Sequence, residues 1–374
     1  MEELELKHWL YMELQNTDKT CRYIIRFHTR SDYSIGYKQL KTDSPFPLLP
    51  SDIQPLEFIL GLSCTRVIME KAINLLPSIQ SIEIDQKEAS IHGLSGLHIP
   101  WGVGHIRAPE AWRSSTGNRI KIGIIDTGVD FSHPDLHRSV DGGINLIHRQ
   151  LLPMDDNGHG THIAGTIAAA SKAYGIMGVA PQSSLYAVKA FDRKGTAFVT
   201  DIIYGIDWCV RNRLDIINMS FGMKNHSHAL EAAVNNAFKA GKIIVASSGN
   251  NGKSNRVDYP ARFLQTISVG ATTRASRIAP FSNRGTRIDI YAPGEKIYST
   301  WLHGSYNELS GTSMATSHVS GVIALLLATD PSLTTKQLKT ILQRNAFMLG
   351  FKKTSPRHPG EVNANRTLRS IMPY

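Results

Sequence analysis

Lys121-Ile122-Gly123-Ile124-Ile125-Asp126-Thr127-Gly128 holds an apolar run, Ile122 to Ile125, that stops on a carboxylate and a turn glycine. A strand with solvent on one face alternates apolar and polar residues; this one does not, so it reads as a strand covered on both faces. The same pattern recurs downstream at Leu185 to Ala190, Ile216 to Met219, Lys242 to Ala246, Thr266 to Val269 and Ile288 to Tyr291. Between these strands lie helical patterns at His159 to Ser171, Phe198 to Arg211, Ser227 to Ala240, Ser313 to Ala328 and Thr334 to Arg344. Strands alternating with helices predict an α/β fold, a mostly parallel sheet with helices on both faces. Asp126 then ends its strand where such sheets place their functional sites.

Two further stretches share the character of the Asp126 turn: Asn157-Gly158-His159-Gly160-Thr161-His162 and Gly311-Thr312-Ser313-Met314-Ala315. Together the three supply a carboxylate, an imidazole and a hydroxyl in the order Asp, His, Ser, the order of one convergent lineage of hydrolytic triads. A serine hydroxyl is a weak nucleophile unless a base takes its proton during attack. His159 is the candidate base, since an imidazole accepts and returns protons near neutrality. Asp126 would fix its tautomer and stabilise the imidazolium. The helix beginning near Ser313 would offer its backbone N–H to a developing oxyanion. His162 reads as structural, and Asp130, Asp155 and Asp156 read as solvated loop residues.

Further motifs fall in register around these blocks: His133-Pro134-Asp135-Leu136, Gly178-Val179-Ala180-Pro181, Asn218-Met219-Ser220-Phe221-Gly222, Ser248-Gly249-Asn250-Asn251-Gly252, Tyr259-Pro260-Ala261 and Tyr291-Ala292-Pro293-Gly294. From about Pro100 to Ala364 the chain resembles the subtilases, the subtilisin-like serine proteases. The resemblance implies a serine endopeptidase acting through Asp126, His159 and Ser313, with the Asn250 side-chain amide as second oxyanion donor. It implies protein or peptide substrates bound in extended form between Gly195-Thr196-Ala197 and Ser220-Phe221-Gly222, by pairing with exposed strand edges. Val199, Ile202 and Phe221 would line a distal apolar pocket, or else belong to the core. Ser247-Ser248-Gly249 would wall the primary pocket. At its floor many subtilases carry Gly where this chain has Asp258, so Asp258 is either a pocket carboxylate favouring Lys or Arg, or an exposed loop residue.

Residues 1-95 differ in character. Tyr23 to Phe27 reads as a strand, Pro45 to Pro55 as a loop, Thr65 to Leu76 as an amphipathic helix and Ile79 to Ile84 as an alternating strand. Such a small α+β (ferredoxin-like) unit resembles the subtilase propeptide, which implies an intramolecular inhibitor cleaved near His92 to Gly96, with residues 96-374 as the catalytic domain. Two departures stand out within that domain. Many subtilases bind calcium through the counterpart of Asp135; here Lys172 and Leu97 fall where two other ligands belong, so that site is expected to be lost or weak, with Lys172 pairing with Asp135. Ser317 stands where proline is usual, a change compatible with an early helix position. Met223, where a second glycine is common, would narrow the cleft.

Composition narrows the remaining classes. In 374 residues there are three cysteines, too scattered for a disulfide framework or a zinc motif, and no metal ligand or cofactor is assigned. The net charge of +10 comes from dispersed Lys and Arg without aromatic interleaving, so no nucleic-acid partner is expected. No apolar run of the roughly 18 to 20 residues needed for a membrane span is evident, and no membrane partner is expected. The opening Met-Glu-Glu-Leu-Glu-Leu is acidic where a secretory leader is basic, which favours an intracellular location, although propeptides belong more with exported members. The rival reading is a catalytically silent scaffold that keeps the fold; an intact Asp, His, Ser and Asn set argues against it.

Overall fold

The computed structural model describes residues 22-42, 53-85, 98-171, 174-349 and 359-372. The chain divides into two compact units, Met1–Gly93 and Leu94–Tyr374. In the first, β1 (Arg22–Phe27), α1 (Arg30–Thr42), β2 (Ile53–Leu56), β3 (Gly61–Thr65), α2 (Arg66–Ala72) and β4 (Ile79–Asp85) follow one another in the ferredoxin-like β-α-β-β-α-β order. Their antiparallel sheet runs β2-β3-β1-β4. Tyr23, Ile25 and Phe27 alternate inward and pack on Leu62, Ile68, Met69 and Ile82. The loop expected at Pro45 to Pro55 lies mostly outside the described residues. Its last part is strand β2, an edge strand that tolerates Pro55.

The second unit opens with two short helices, α3 (Trp101–His105) and α4 (Ala108–Ala111). The chain continues through β5 (Lys121–Asp126), β6 (Val140–Asn145), α5 (His159–Ala168), β7 (Ser184–Lys189), α6 (Val199–Arg211), β8 (Ile216–Met219), α7 (His228–Lys239) and β9 (Ile243–Ser247). It ends with β10 (Thr266–Thr272), β11 (Ile290–Pro293), the hairpin β12 (Ile297–Thr300) and β13 (Tyr306–Leu309), then α8 (Thr312–Thr329), α9 (Thr335–Asn345) and α10 (Ala364–Arg369). Seven strands form one parallel sheet in the order β11-β10-β9-β8-β5-β7-β6. The chain leaves β5 toward β6 and β7 on one side and builds β8 to β11 on the other. The carboxyl end of β5 is therefore the topological switch point of the sheet.

Alternation along each strand splits the core into two layers. Ile122, Ile124, Val245, Ile267 and Val269 pack with Val319, Val322, Ile323 and Leu326 of α8 on one face. Ile125, Ile217, Ile244 and Ala246 pack with Ile202, Ile206, Leu230 and Val234 of α6 and α7 on the other. A side chain at Gly123 would stand 2.6 Å from Cys209 Sγ, which explains a glycine in mid-strand; Cys209 is wholly buried, as its apolar run suggests. Helix α8 is buried on all sides from Thr312 to Leu327. It is long and apolar enough for a membrane span, which the sequence reading did not recognise, but 89% of it is buried in this fold, so it is a core helix. Ile202 is 2% exposed and belongs to the core, which settles that residue against the pocket reading.

Candidate active site

Asp126, His159 and Ser313 come from the end of β5 and the first turns of α5 and α8. The sheet thus gathers residues separated by nearly two hundred positions at its carboxyl edge. His159 Nδ1 lies 2.7 Å from Asp126 Oδ1, which also accepts the Thr127 N–H at 2.8 Å. Gly158 precedes His159 at φ 104, and a side chain there would collide with the Trp301 indole. Burial works to lower the imidazole pKa, but the Asp126 charge and hydrogen bond, aided by the Asp155 charge, overcome it and raise the value above 6.5.

With His159 as the expected base, that shift would set the acid limb of activity. A general base works only when neutral, so kcat/KM should be full at alkaline pH and fall as pH drops through a midpoint above 6.5. A pH profile of kcat/KM with a peptide substrate checks this; a midpoint at or below 6.5 contradicts it.

Asp155 is a correction to the sequence reading. It is 6% exposed, not solvated, and its carboxylate ties three segments together. Oδ1 accepts from Thr127 Oγ1 at 2.8 Å and from the Asn157 and Gly158 N–H groups at 3.0 Å each, while Oδ2 accepts Thr161 N–H at 2.9 Å and Thr161 Oγ1 at 2.6 Å. It thereby fixes the His159 loop against the end of β5. Asp130 is likewise buried, accepting from Ser132 and from His303 N–H at 2.9 Å. Asp156 alone is half-exposed, and it pairs at 2.6 Å with buried Lys189, which also donates to the Thr127 carbonyl.

Ser313 Oγ donates to the Ser220 carbonyl at 2.7 Å and makes no hydrogen bond to His159. Ser313 Oγ is thus held by the segment expected to bind substrate. Asn250 is exposed, and its Oδ1 accepts Thr312 N–H and Thr312 Oγ1 at 2.9 Å each, which fixes the amide; among the described residues Nδ2 has no hydrogen-bond partner. A Cβ built on Gly311 would lie 3.4 Å from Asn250 Nδ2 and 3.8 Å from Ser313 N. Both nitrogens therefore lie close to one point beside Ser313.

Gly195, Ser220, Phe191 and Asn157 line a cleft of about 220 Å³ with Asp126 and His159. Thr196 and Ala197 line a neighbouring depression with Phe198 and Leu146. Phe221 packs on Phe191 with ring centroids 4.9 Å apart. Ser247 Oγ donates to the Phe221 carbonyl at 3.1 Å, joining the two expected pocket walls. Asp258 completes that group. Its N–H donates to the Ser248 carbonyl at 3.0 Å, its Oδ2 lies 3.0 Å from where a Gly222 side chain would begin, and a side chain on Gly249 would collide with the same oxygen. At 7% exposure it is not a solvated loop aspartate.

Two expectations fall on residues outside the description, Lys172 and Leu97. Asp135, their supposed calcium partner, has Oδ2 taken by Ile176 N–H at 2.9 Å and Tyr306 Oη at 2.8 Å.

The subtilase family model matches residues 117–368 of this chain. The chain belongs to the subtilase family. Subtilisin E of Bacillus subtilis (strain 168) is 40% identical over 286 residues, covering 75% of this chain and 74% of that protein. The M-protease of Shouchella clausii (strain KSM-K16) is 40% identical over 357 residues, 93% of this chain and 91% of that one, so the likeness extends into the N-terminal unit. The crystal structure of a cold adapted subtilisin-like serine proteinase superposes with a TM-score of 0.60 at 34% identity, covering 67% of this chain and 89% of that one. As a subtilase the protein is a serine peptidase, and the parallel sheet with flanking helices is the subtilisin-like architecture.

Proposed function

We propose that this subtilase is an endopeptidase that attacks peptide bonds with Ser313, uses His159 as base and later as acid, and holds the oxyanion between Ser313 N–H and Asn250 Nδ2. The observation that carries the proposal is the 2.7 Å Asp126–His159 contact, with Asn250 Nδ2 and Ser313 N close to one point near Gly311 in support. An extended substrate pairing with the Ser220 to Gly222 edge brings a backbone N–H that competes for the Ser220 carbonyl. Losing that acceptor, Ser313 Oγ turns by roughly 120° to another staggered position and offers its proton to His159. Attack forms the tetrahedral adduct, the imidazolium returns its proton to the leaving amine, and water repeats the sequence on the acyl-enzyme. An intact catalytic set of this kind supports the enzyme over a silent scaffold.

The N-terminal unit is proposed as a propeptide that is removed autocatalytically and inhibits the cleft until then. Its ferredoxin-like fold and its position ahead of the peptidase support this; the expected cut near His92 to Gly96 lies outside the described residues. Intact mass of the wild-type chain beside Ser313→Ala, with sequencing of any new N-terminus, tests it. Processing near residues 92-96 that vanishes in the variant is expected. Equal processing in both proteins contradicts self-cleavage.

Primary specificity is proposed to be basic, through Asp258. Burial raises its carboxyl pKa, and the charges of Arg256, Lys224 and Lys253 only partly oppose that. Among the described residues its carboxylate has no hydrogen-bond partner, so a substrate guanidinium or ammonium would supply the missing one. A charged hydrogen bond contributes about 1.5 to 3 kcal/mol, hence Asp258→Gly should reduce the preference for Arg over Phe before the scissile bond by about 10- to 100-fold in kcat/KM. Paired peptide substrates differing only at that position measure it, and an unchanged ratio contradicts the assignment.

A further inference from the structure

Away from the catalytic residues, the entry to α7 gathers His226, His228 and Glu231, whose ligand atoms all lie within 4.8 Å of one another. We propose that these three side chains bind one divalent transition-metal ion of the zinc type, an assignment independent of the peptidase chemistry.

Local sequence creates the cluster. Ser227 caps α7 by accepting the Leu230 N–H at 3.2 Å, which fixes where the helix begins. With that start, His228 and Glu231 are three positions apart and share one face. The extended Ser227 backbone, at φ −126 and ψ 115, places His226 just before the first turn. Its Nε2 meets Glu231 Oε2 at 2.8 Å, and its ring lies 4.5 Å from that of His228 at 79°. Tyr259 and Phe263 hold the His226 ring edge-on, with centroids 5.1 and 5.8 Å away.

A surface ion pair needs only His226 and Glu231. It leaves the third donor, His228, unexplained. Two imidazoles and a carboxylate form the mixed N/O set that zinc accepts at about 2.0 to 2.2 Å, with water in the fourth position. Tetrahedral bonds of that length place donors about 3.3 Å apart. Exposed side chains need only rotate inward by an ångström or so to reach this spacing.

The site also adjoins the proposed specificity pocket. Met223 and Tyr259 exchange backbone hydrogen bonds of 2.7 and 2.9 Å, and Asp258 directly precedes Tyr259. A metal at His226 would therefore tie down the segment leading from Gly222 to α7.

The test is calorimetric titration of zinc chloride into the full chain carrying Ser313→Ala, which prevents self-digestion, after treatment with chelator and its removal. One equivalent should bind, with affinity at least tenfold weaker in both His228→Ala and Glu231→Gln. Cobalt(II) should give visible d–d absorption of a low-coordinate site that both variants lose, while their circular dichroism stays unchanged. No binding by the parent chain, or an affinity and a cobalt spectrum in either variant equal to those of the parent, overturns the proposal. Both substitutions are at or near the surface and remove ligands without touching the core.

Discussion

Ser313→Ala lowers kcat by about a million-fold with little change in KM, a magnitude carried over from subtilisin, a relative of this chain, rather than read from this geometry. The geometry supplies the reason for so large an effect with so little structural cost. The substitution deletes one oxygen, whose only hydrogen bond within the described residues is to the Ser220 carbonyl. An ordinary hydrogen bond contributes about 1 kcal/mol, so the variant folds and still binds substrate. His159→Ala alone should be about as damaging, and the double variant no worse than either, because nucleophile and base act as one unit. Steady-state kinetics on a peptide substrate decide this. Activity of Ser313→Ala within a hundredfold of wild type contradicts the assignment.

Asn250→Ala lowers kcat by about 100- to 1,000-fold and leaves KM within a factor of about three; this range too is subtilisin's own. The split between the two constants follows from where the amide points. In the proposed mechanism Nδ2 faces the space in which negative charge develops, so its bond would strengthen only as the tetrahedral adduct forms. Oδ1 has a separate task, accepting from Thr312 N–H and Oγ1. Asn250→Asp keeps those acceptors and removes the donor, so it separates the two tasks. If its kcat falls at least as far as that of the alanine variant, the loss belongs to the oxyanion and not to a displaced Thr312. A rise in KM that accounts for the whole change in kcat/KM would instead assign Asn250 to ground-state binding.

Much of this site is legible in the linear sequence because its chemistry is local. Asp126 follows five strand residues, His159 sits between two glycines and Ser313 opens a long apolar helix, and each of these signals fits within a few positions. Ser227 and Thr334 mark their helix starts by the same local logic, Thr334 through a full capping box with Gln337. What escapes notice depends on partners distant in sequence. Asp155 looks like any loop aspartate until Thr127, 28 positions earlier, donates to it. Its bond to Thr161 N–H spans six positions, beyond the reach of a helix cap, so no local pattern marks it. Asp130 is hidden similarly by His303. Strand β6 has the sequence Val140-Asp141-Gly142-Gly143-Ile144-Asn145, which lacks apolar alternation because it lies at the sheet edge. Helix α1 buries only Tyr33, Gly36 and Leu40, too sparse a stripe to stand out from its polar surroundings. The orientation of the Ser313 hydroxyl is a rotamer, a property no spacing of residues encodes.

The central claim is that Ser313 is made nucleophilic by His159. It is tested most directly by treating the protein with a fluorophosphonate and locating the adduct by peptide mass spectrometry. The account predicts a single phosphonylated residue, Ser313, with labelling lost in Ser313→Ala and slowed by orders of magnitude in His159→Ala. Labelling of another serine, or equal labelling of Ser313 with and without the His159 imidazole, would contradict it.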